Sequence, residues 1–230
     1  MLTPFVLESD RVRLEPLTPE HAGPLAAAAA ADRSGYRFTW VPDGLADAER
    51  YVAAALADQA GGRTLAWAVR RPADEQIVGC TRVLDLEVFG WPPPWPPGVG
   101  RGPAPADDRP PTVAEIGSTW YAGPAQRTGL NAECKLLLLT RAFDGWGTLR
   151  VTLKTDARNA ASRRAIERLG AALEGVRRAH APASDGTIRD TAYYSIVQAE
   201  WPGVREHLRR RLAAQVAGGS GPGGSGPAMR

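Results

Sequence analysis

Cysteine, histidine and methionine are scarce here, at two, three and two among 230 residues. Cys80 and Cys134 are too few for a disulfide framework and lack metal-ligand spacing. His21, His180 and His207 are scattered, which argues against a metal site or a Cys/His nucleophile pair. No apolar run approaches the roughly 20 residues that cross a bilayer. The opening MLTPFVLESDRVRLEPL lacks the basic-then-apolar order of a secretion signal, so the expectation is a cytoplasmic protein without membrane association. There is no internal repeat, no GxGxxG after a strand and no GxxxxGK[ST], which leaves Rossmann and Walker readings without support. A formal charge of +3 is too weak to indicate nucleic acid.

What is present is the composition of a globular domain, with 43% apolar and 23% charged residues and enough chain to bury a core. Charge is uneven: Arg158, Arg163, Arg164, Arg168, Arg177, Arg178 and Arg189 crowd one stretch. A solvated face explains most of them; a phosphate-bearing ligand nearby is the sharper alternative, because the guanidinium fork suits phosphate oxygens.

Patterning predicts a strand over Arg11–Leu17, then Thr18 as N-cap and Pro19 opening an Ala-rich helix. A second helix is expected over Leu45–Ala60, closed by Gly61-Gly62. Leu65–Arg70 and Gln76–Val83 read as a hairpin, and Thr112–Tyr121 as a further strand. A helix from about Gly129 to Trp146 is apolar nearly all round, which marks it as buried. Strand Arg150–Thr155, helix Asn159–Leu169, strands Ala172–His180 and Arg189–Val197, and a helix from about Glu200 to Val216 complete the order. The expected fold is α/β (an α+β layered domain), a mixed sheet with helices on both faces.

One domain over residues 1–216 is expected, with a Pro/Trp-rich insertion at 89–111 and a flexible Gly/Ser/Pro tail at 217–230. Prolines deny Phe89–Pro111 regular structure. Trp91 and Trp95 suit a loop packed on its own domain, a flap over a site, or a contact with a second subunit in a homodimer. Trp-Pro-Pro-Pro-Trp-Pro-Pro also looks like a polyproline ligand, the basis of an interaction-module reading.

Three segments carry chemistry. Gln126-Arg127-Thr128-Gly129-Leu130-Asn131 follows a strand and opens a helix, whose unpaired N–H groups and partial positive charge favour a diphosphate. Gly129 lets the backbone approach phosphate, or merely relieves a tight turn. Asn159 is a natural N-cap, with Ser162 on the first turn after it. Glu115 interrupts an apolar strand, where a carboxylate is paired, functional or turned outward.

In this order and spacing the segments resemble the GNAT family of N-acetyltransferases over about Arg11 to Leu212. The branch most similar is that of ribosomal-protein N-terminal acetyltransferases. Its pattern is met by Leu7–Leu14, Glu115-Ile116-Gly117, the loop at Gln126–Asn131, Lys154-Thr155-Asp156, Ala165–Gly170 and Arg189–Ser195. The resemblance implies a mostly antiparallel sheet splayed between its fourth and fifth strands, with acetyl-CoA as acyl donor and no metal. Backbone groups of Trp120 and Tyr121 are then expected to hold the acyl end and pantetheine arm. Arg127 to Asn131 hold the diphosphate, Asn159 bonds the pantetheine, and Arg163 or Arg164 reaches the nucleotide phosphate. Glu115 is the expected base and Ser162 the expected acid. The family usually has Gly or Ala where Asn131 stands, and many members carry a tyrosine acid where Ile166 stands; Tyr193 and Tyr194 in the last strand are an alternative source of a phenol.

The acceptor implied is a primary amine, on a small molecule or a protein N-terminus. By the resemblance it lies between Arg33–Asp43 and Ala181–Ile188, where Tyr36, Phe38 and Trp40 form an aromatic wall or core. Asp32, Asp43 and Asp185 either draw a cation or serve as turn signals. An acyl-CoA-binding sensor or scaffold is the alternative to an enzyme.

Overall fold

The computed structural model describes residues 2–89, 101–103 and 109–219, apart from the side chains of 101–103 and 216–219. Among the described residues nine strands make one sheet: β1 (Leu7–Glu8), β2 (Arg13–Pro16), β3 (Thr64–Arg71), β4 (Gln76–Phe89), β5 (Arg101–Pro103), β6 (Val113–Tyr121), β7 (Arg150–Asp156), β8 (Ala172–Pro182) and β9 (Ile188–Val197). The spatial order is β1-β2-β3-β4-β6-β7-β9-β8, with β5 paired to β4 alone. All pairings are antiparallel except that of β6 with β7.

Helices α1 (Ala22–Ala30) and α2 (Leu45–Ala60) cover one face, and α3 (Leu130–Thr140) and α5 (Trp201–Gly219) the other; α4 (Ala160–Glu167) follows β7. Two cores result, because strand alternation sends successive side chains to opposite faces. Leu25, Ala48, Val52, Ala66, Ala68 and Cys80 fill the first, beneath α1 and α2. Trp67, Val83, Ile116, Leu138, Tyr194 and Leu208 belong to the second, beneath α3 and α5.

Three expectations need correction. Thr18–Pro19 opens not an α-helix but a 3-10 turn (Pro19–His21), and α1 starts one turn later. The helix expected to reach Trp146 is regular only to Thr140. It then widens into a π turn, Arg141–Gly145, which leaves Phe143 stacked on Trp201 with ring centres 5.3 Å apart. Regular structure also enters 89–111: β4 runs to Phe89, and Arg101–Pro103 pairs with Glu87–Phe89. Pro103 is tolerated because an edge strand need not donate at every position. Trp91 and Trp95 lie outside the described residues. So does the tail beyond Gly219, while 217–219 continue α5.

The sheet opens where β6 meets β7. Only Val113, Ala114 and Glu115 pair, with Arg150, Val151 and Thr152. Beyond that point β6 stays with β4 through Cys80–Trp120 and Gly79–Tyr121, while β7 stays with β9 as far as Asp156–Thr191. The two halves diverge because each follows its outer neighbour. A bulge in β6 marks the divergence: Ser118 has φ +46°, and the register with β4 shifts between Cys80 and Arg82.

Close approach at Gly79 holds β6 in this place, since a Cβ there would run into the Trp120 carbonyl oxygen. Gly79→Ala is expected to lose about 1–3 kcal/mol through this overlap, read as a lower denaturation midpoint. Unchanged stability would mean that β4 and β6 separate freely.

Candidate active site

The parting strands leave a cleft of about 1200 Å3 that reaches from α2 and the loop after α1 to α4 and α5. Glu115 sits where the strands separate. Its side chain lies on the face covered by α2, with residue exposure of 3%. Lys154 Nζ on β7 is 2.7 Å from its Oε2 and 3.6 Å from Asp85 on β4. Burial pushes the Glu115 carboxyl up to about 7 against the pull of Lys154, and Asp85 adds to the rise. Burial pulls Lys154 down, but Glu115 and Asp85 more than offset it, leaving the ammonium above its usual value. A carboxyl that titrates near neutrality beside an open cleft suits proton abstraction.

Further along β6, Trp120 donates its indole N–H to the Tyr51 hydroxyl at 3.3 Å. The Tyr121 carbonyl accepts from Tyr36 Oη at 3.1 Å and Gln126 Nε2 at 3.0 Å. Both its lone pairs are thus engaged within the protein, so of the backbone groups of Trp120 and Tyr121 expected to hold the acyl end and the arm, the Tyr121 carbonyl is already occupied.

The loop into α3 is braced. Arg11 Nη2 donates to the Thr128 carbonyl at 2.7 Å and Thr128 Oγ1 to the Ala125 carbonyl at 2.8 Å. Arg127 and Gly129 have φ of +62° and +90°, so the turn needs a glycine at 129 for its backbone alone. A Cβ at Gly129 would meet the side-chain end of Gln215 on α5, so that amide now overlies the glycine. No side chain caps α3, leaving its first N–H groups for an anion.

Of the expected site residues, Glu115, Trp120, Tyr121, Gln126, Arg127, Gly129, Asn131, Ser162 and Arg164 line the cleft. Thr128, Leu130 and Asn159 do not: Thr128 holds the loop, Leu130 is core, and Asn159 Oδ1 caps α4 by accepting from Ser162 N at 3.0 Å. Arg163 turns away, donating from Nε to Tyr194 Oη at 2.9 Å, and Tyr194 in turn donates to Glu167. Neither Tyr193 nor Tyr194 lines the cleft; Tyr193 Oη and His180 Nε2 lie 3.1 Å apart.

The two loops expected to hold the acceptor touch, Ser184 Oγ donating to the Arg37 carbonyl at 2.8 Å. Tyr36 is buried edge-on against Trp120, whereas Trp40 is 67% exposed at the rim. The three acids there are occupied: Asp32 accepts from Ser34 N, Asp43 lies 3.7 Å from Arg33, and Asp185 lies 3.0 Å from Arg158.

Two buried cations went unnoticed at the level of sequence. Lys135 on α3, 4% exposed, donates to Thr119 Oγ1 at 2.6 Å, and burial drops its ammonium to about 8. Arg82 on β4, 8% exposed, lies against the Tyr51 ring. Each is a charge inside an apolar element, the same signal that singled out Glu115. Burial pushes both cysteine thiols up, Cys134 to about 12, so neither is an activated nucleophile. Among the described residues no group of three or more His, Cys, Asp or Glu is placed to hold a metal. Among them, too, no helix is long and apolar enough to cross a membrane.

The family model described as "Acetyltransferase (GNAT) domain" matches residues 11–172. No curated protein matches the chain. Among solved structures, a GCN5-related N-acetyltransferase from Brucella melitensis is 29% identical, with a TM-score of 0.71 over 90% of this chain and 85% of that one. Mycobacterium smegmatis RimJ, solved with CoA-disulfide, is 18% identical with a TM-score of 0.68, covering 90% and 92%. A ribosomal-protein-S5-alanine acetyltransferase from Vibrio fischeri is 13% identical with a TM-score of 0.63, covering 86% and 99%. The last two share the fold.

Proposed function

Because the chain belongs to the GNAT acetyltransferase family and is thereby an acetyl-CoA-dependent acyltransferase, we propose that it acetylates a primary amine by direct attack within a ternary complex. The observation that carries this is Glu115: a buried carboxyl, raised to about 7, at the point where β6 and β7 part. No cysteine is available for an acyl-enzyme, as both thiols are buried and raised.

Acyl-CoA fits the cleft for three physical reasons. The uncapped start of α3, with Arg127 and Asn131 beside it, suits the diphosphate. Arg164, Arg168 and Arg211 line the same cavity and suit the remaining phosphate. The gap between β6 and β7 suits an extended arm, with Trp120 and Tyr121 along its β6 wall. Gln215 has to swing off Gly129 when the diphosphate binds, a small motion for the end of a flexible side chain.

In the reaction, the amine nitrogen attacks the thioester carbonyl carbon. Glu115 takes the amine proton, directly or through a water. The C–S bond then breaks, and Ser162, on the cleft wall, supplies the proton to the leaving thiolate; it is reprotonated from solvent, and Glu115 returns the amine proton to solvent. The products are an amide and free coenzyme A. The ribosomal-protein N-terminal acetyltransferase branch is the reading favoured by the motif pattern and the shared fold.

An acceptor screen read by thiol release tests this. Release from acetyl-CoA should depend on added amine, small or peptidic. Tight acetyl-CoA binding with no amine-dependent release across the panel would establish a binding domain instead.

A further inference from the structure

Resting on that reading, we infer that the acceptor is a primary amine bearing its own carboxylate, and that Arg82 is the residue that selects it. Arg82 stands on β4 opposite Gly117, two residues along β6 from Glu115 and on the same face. The strand rise puts the two positions about 7 Å apart. Tyr51 and Cys80 flank the guanidinium: its Cζ lies 4.6 Å from the Tyr51 ring centre, and the buried Cys80 thiol is beside it. Its Nε has no hydrogen-bond partner, and among the described residues no carboxylate forms an ion pair with it. The side chain lines the cleft.

An arginine cannot shed its proton, so a buried, unpaired guanidinium is costly unless an anion joins it. The donor does not supply that anion. Its diphosphate belongs at the start of α3, and Tyr121, where that loop begins, is four residues from Gly117, about 13 Å along the strand. Its reacting end is a neutral thioester. The remaining ligand is the acceptor, whose amine must approach Glu115. A guanidinium that lines the cleft one step along the sheet from Glu115 suits a carboxylate held by its planar fork. Of the acids in this region, Asp43 and Asp185 each face an arginine, and Glu115 and Asp85 share Lys154. The same chemistry is offered by the α-carboxylate of a free amino acid and by an acidic side chain near a peptide N-terminus.

The test compares free amino acids with their carboxamides, and peptides having an acidic second residue with their amide counterparts, in the thiol-release assay. The acid form should have a KM about 10- to 100-fold lower, the worth of a charge-assisted contact. Preference confined to amino acids or to peptides identifies the source. Arg82→Met should bring the acid-to-amide ratio near one, and Arg82→Lys should restore part of it. Arg82→Met without acceptor should also be at least as stable as wild type, since it removes an unpaired buried charge. Equal handling of acids and amides by wild type overturns the inference. So does a preference that survives Arg82→Met, or an Arg82→Met protein that is markedly destabilised. If no amine is acetylated, the transfer reading fails on its own. Equilibrium binding of the same pairs to the protein saturated with coenzyme A then decides: an Arg82-dependent acid preference supports the inference, and its absence refutes it.

Discussion

Glu115→Gln is expected to lower kcat by about 100- to 10,000-fold, the usual contribution of a positioned base, while acetyl-CoA binding persists. Gln keeps the size of the side chain and one acceptor oxygen but cannot take a proton. The loop into α3, where the diphosphate is proposed to bind, lies beyond the other end of β6 and is untouched. Wild-type kcat/KM should rise with pH and flatten above about 7, because the carboxyl must be ionised to act and burial holds it there. The acceptor amine has a titration of its own, but it is the same in both proteins. The limb that disappears in Glu115→Gln is therefore the enzyme's. Calorimetric titration with acetyl-CoA beside the pH profiles checks both halves. Retained turnover in the variant would remove Glu115 from the chemistry.

Lys154→Met should move that same limb to higher pH. Lys154 is the main influence holding Glu115 down against burial, so without it the carboxyl rises above about 7 and activity at neutral pH falls. Activity should return partly in alkaline buffer, which distinguishes loss of a positioning charge from loss of a reacting group. Stability should follow the same sign. A carboxyl whose folded-state pKa is raised favours the fold fully below its unfolded value of 4.5, and that advantage is lost as pH climbs through the folded value. In wild type this window runs from 4.5 to about 7; in Lys154→Met it extends further up. At alkaline pH the variant should be less stable than wild type by on the order of 3 kcal/mol, near the low end for a broken buried pair because Lys154 is part-exposed. Denaturation at mildly acidic and alkaline pH measures it. A limb that stays in place would show that Glu115 does not feel Lys154.

Much of the fold was legible because its signals are local. Gly61-Gly62 closes α2 at Ala60, where the pattern placed it. Short apolar and β-branched runs between turn signals placed β3, β7 and β9 to within a residue or two. Errors arose where partners far along the chain set the outcome. The π turn after Thr140 exists to face Trp201, some sixty residues later, and β5 exists through its pairing with the end of β4.

The site divides in the same way. Glu115 was conspicuous as a charge in an apolar strand, and the Gln126–Asn131 loop as a glycine-containing helix mouth. The rule that found Glu115 applies equally to Arg82 within Ile77–Val83 and to Lys135 within Leu130–Leu139, and it was not extended to them. Asn159 and Arg163 show the reverse. Their residue types suit ligand contacts, yet one caps α4 and the other holds Tyr194, since each found a nearer partner inside the protein.

By itself the sequence determined the order and kind of elements, the layered class, and the family to which the chain belongs, because periodicity, caps and motif spacing are properties of neighbouring residues. Only the tertiary structure decided which side chains share the cleft and what state they are in. The parting of β6 from β7 depends on β4 and β9 pulling each strand its own way. The tertiary structure buries Glu115 beside Lys154 and, among the described residues, leaves Arg82 without a counter-ion, and burial and pairing are quantities that no stretch of sequence contains.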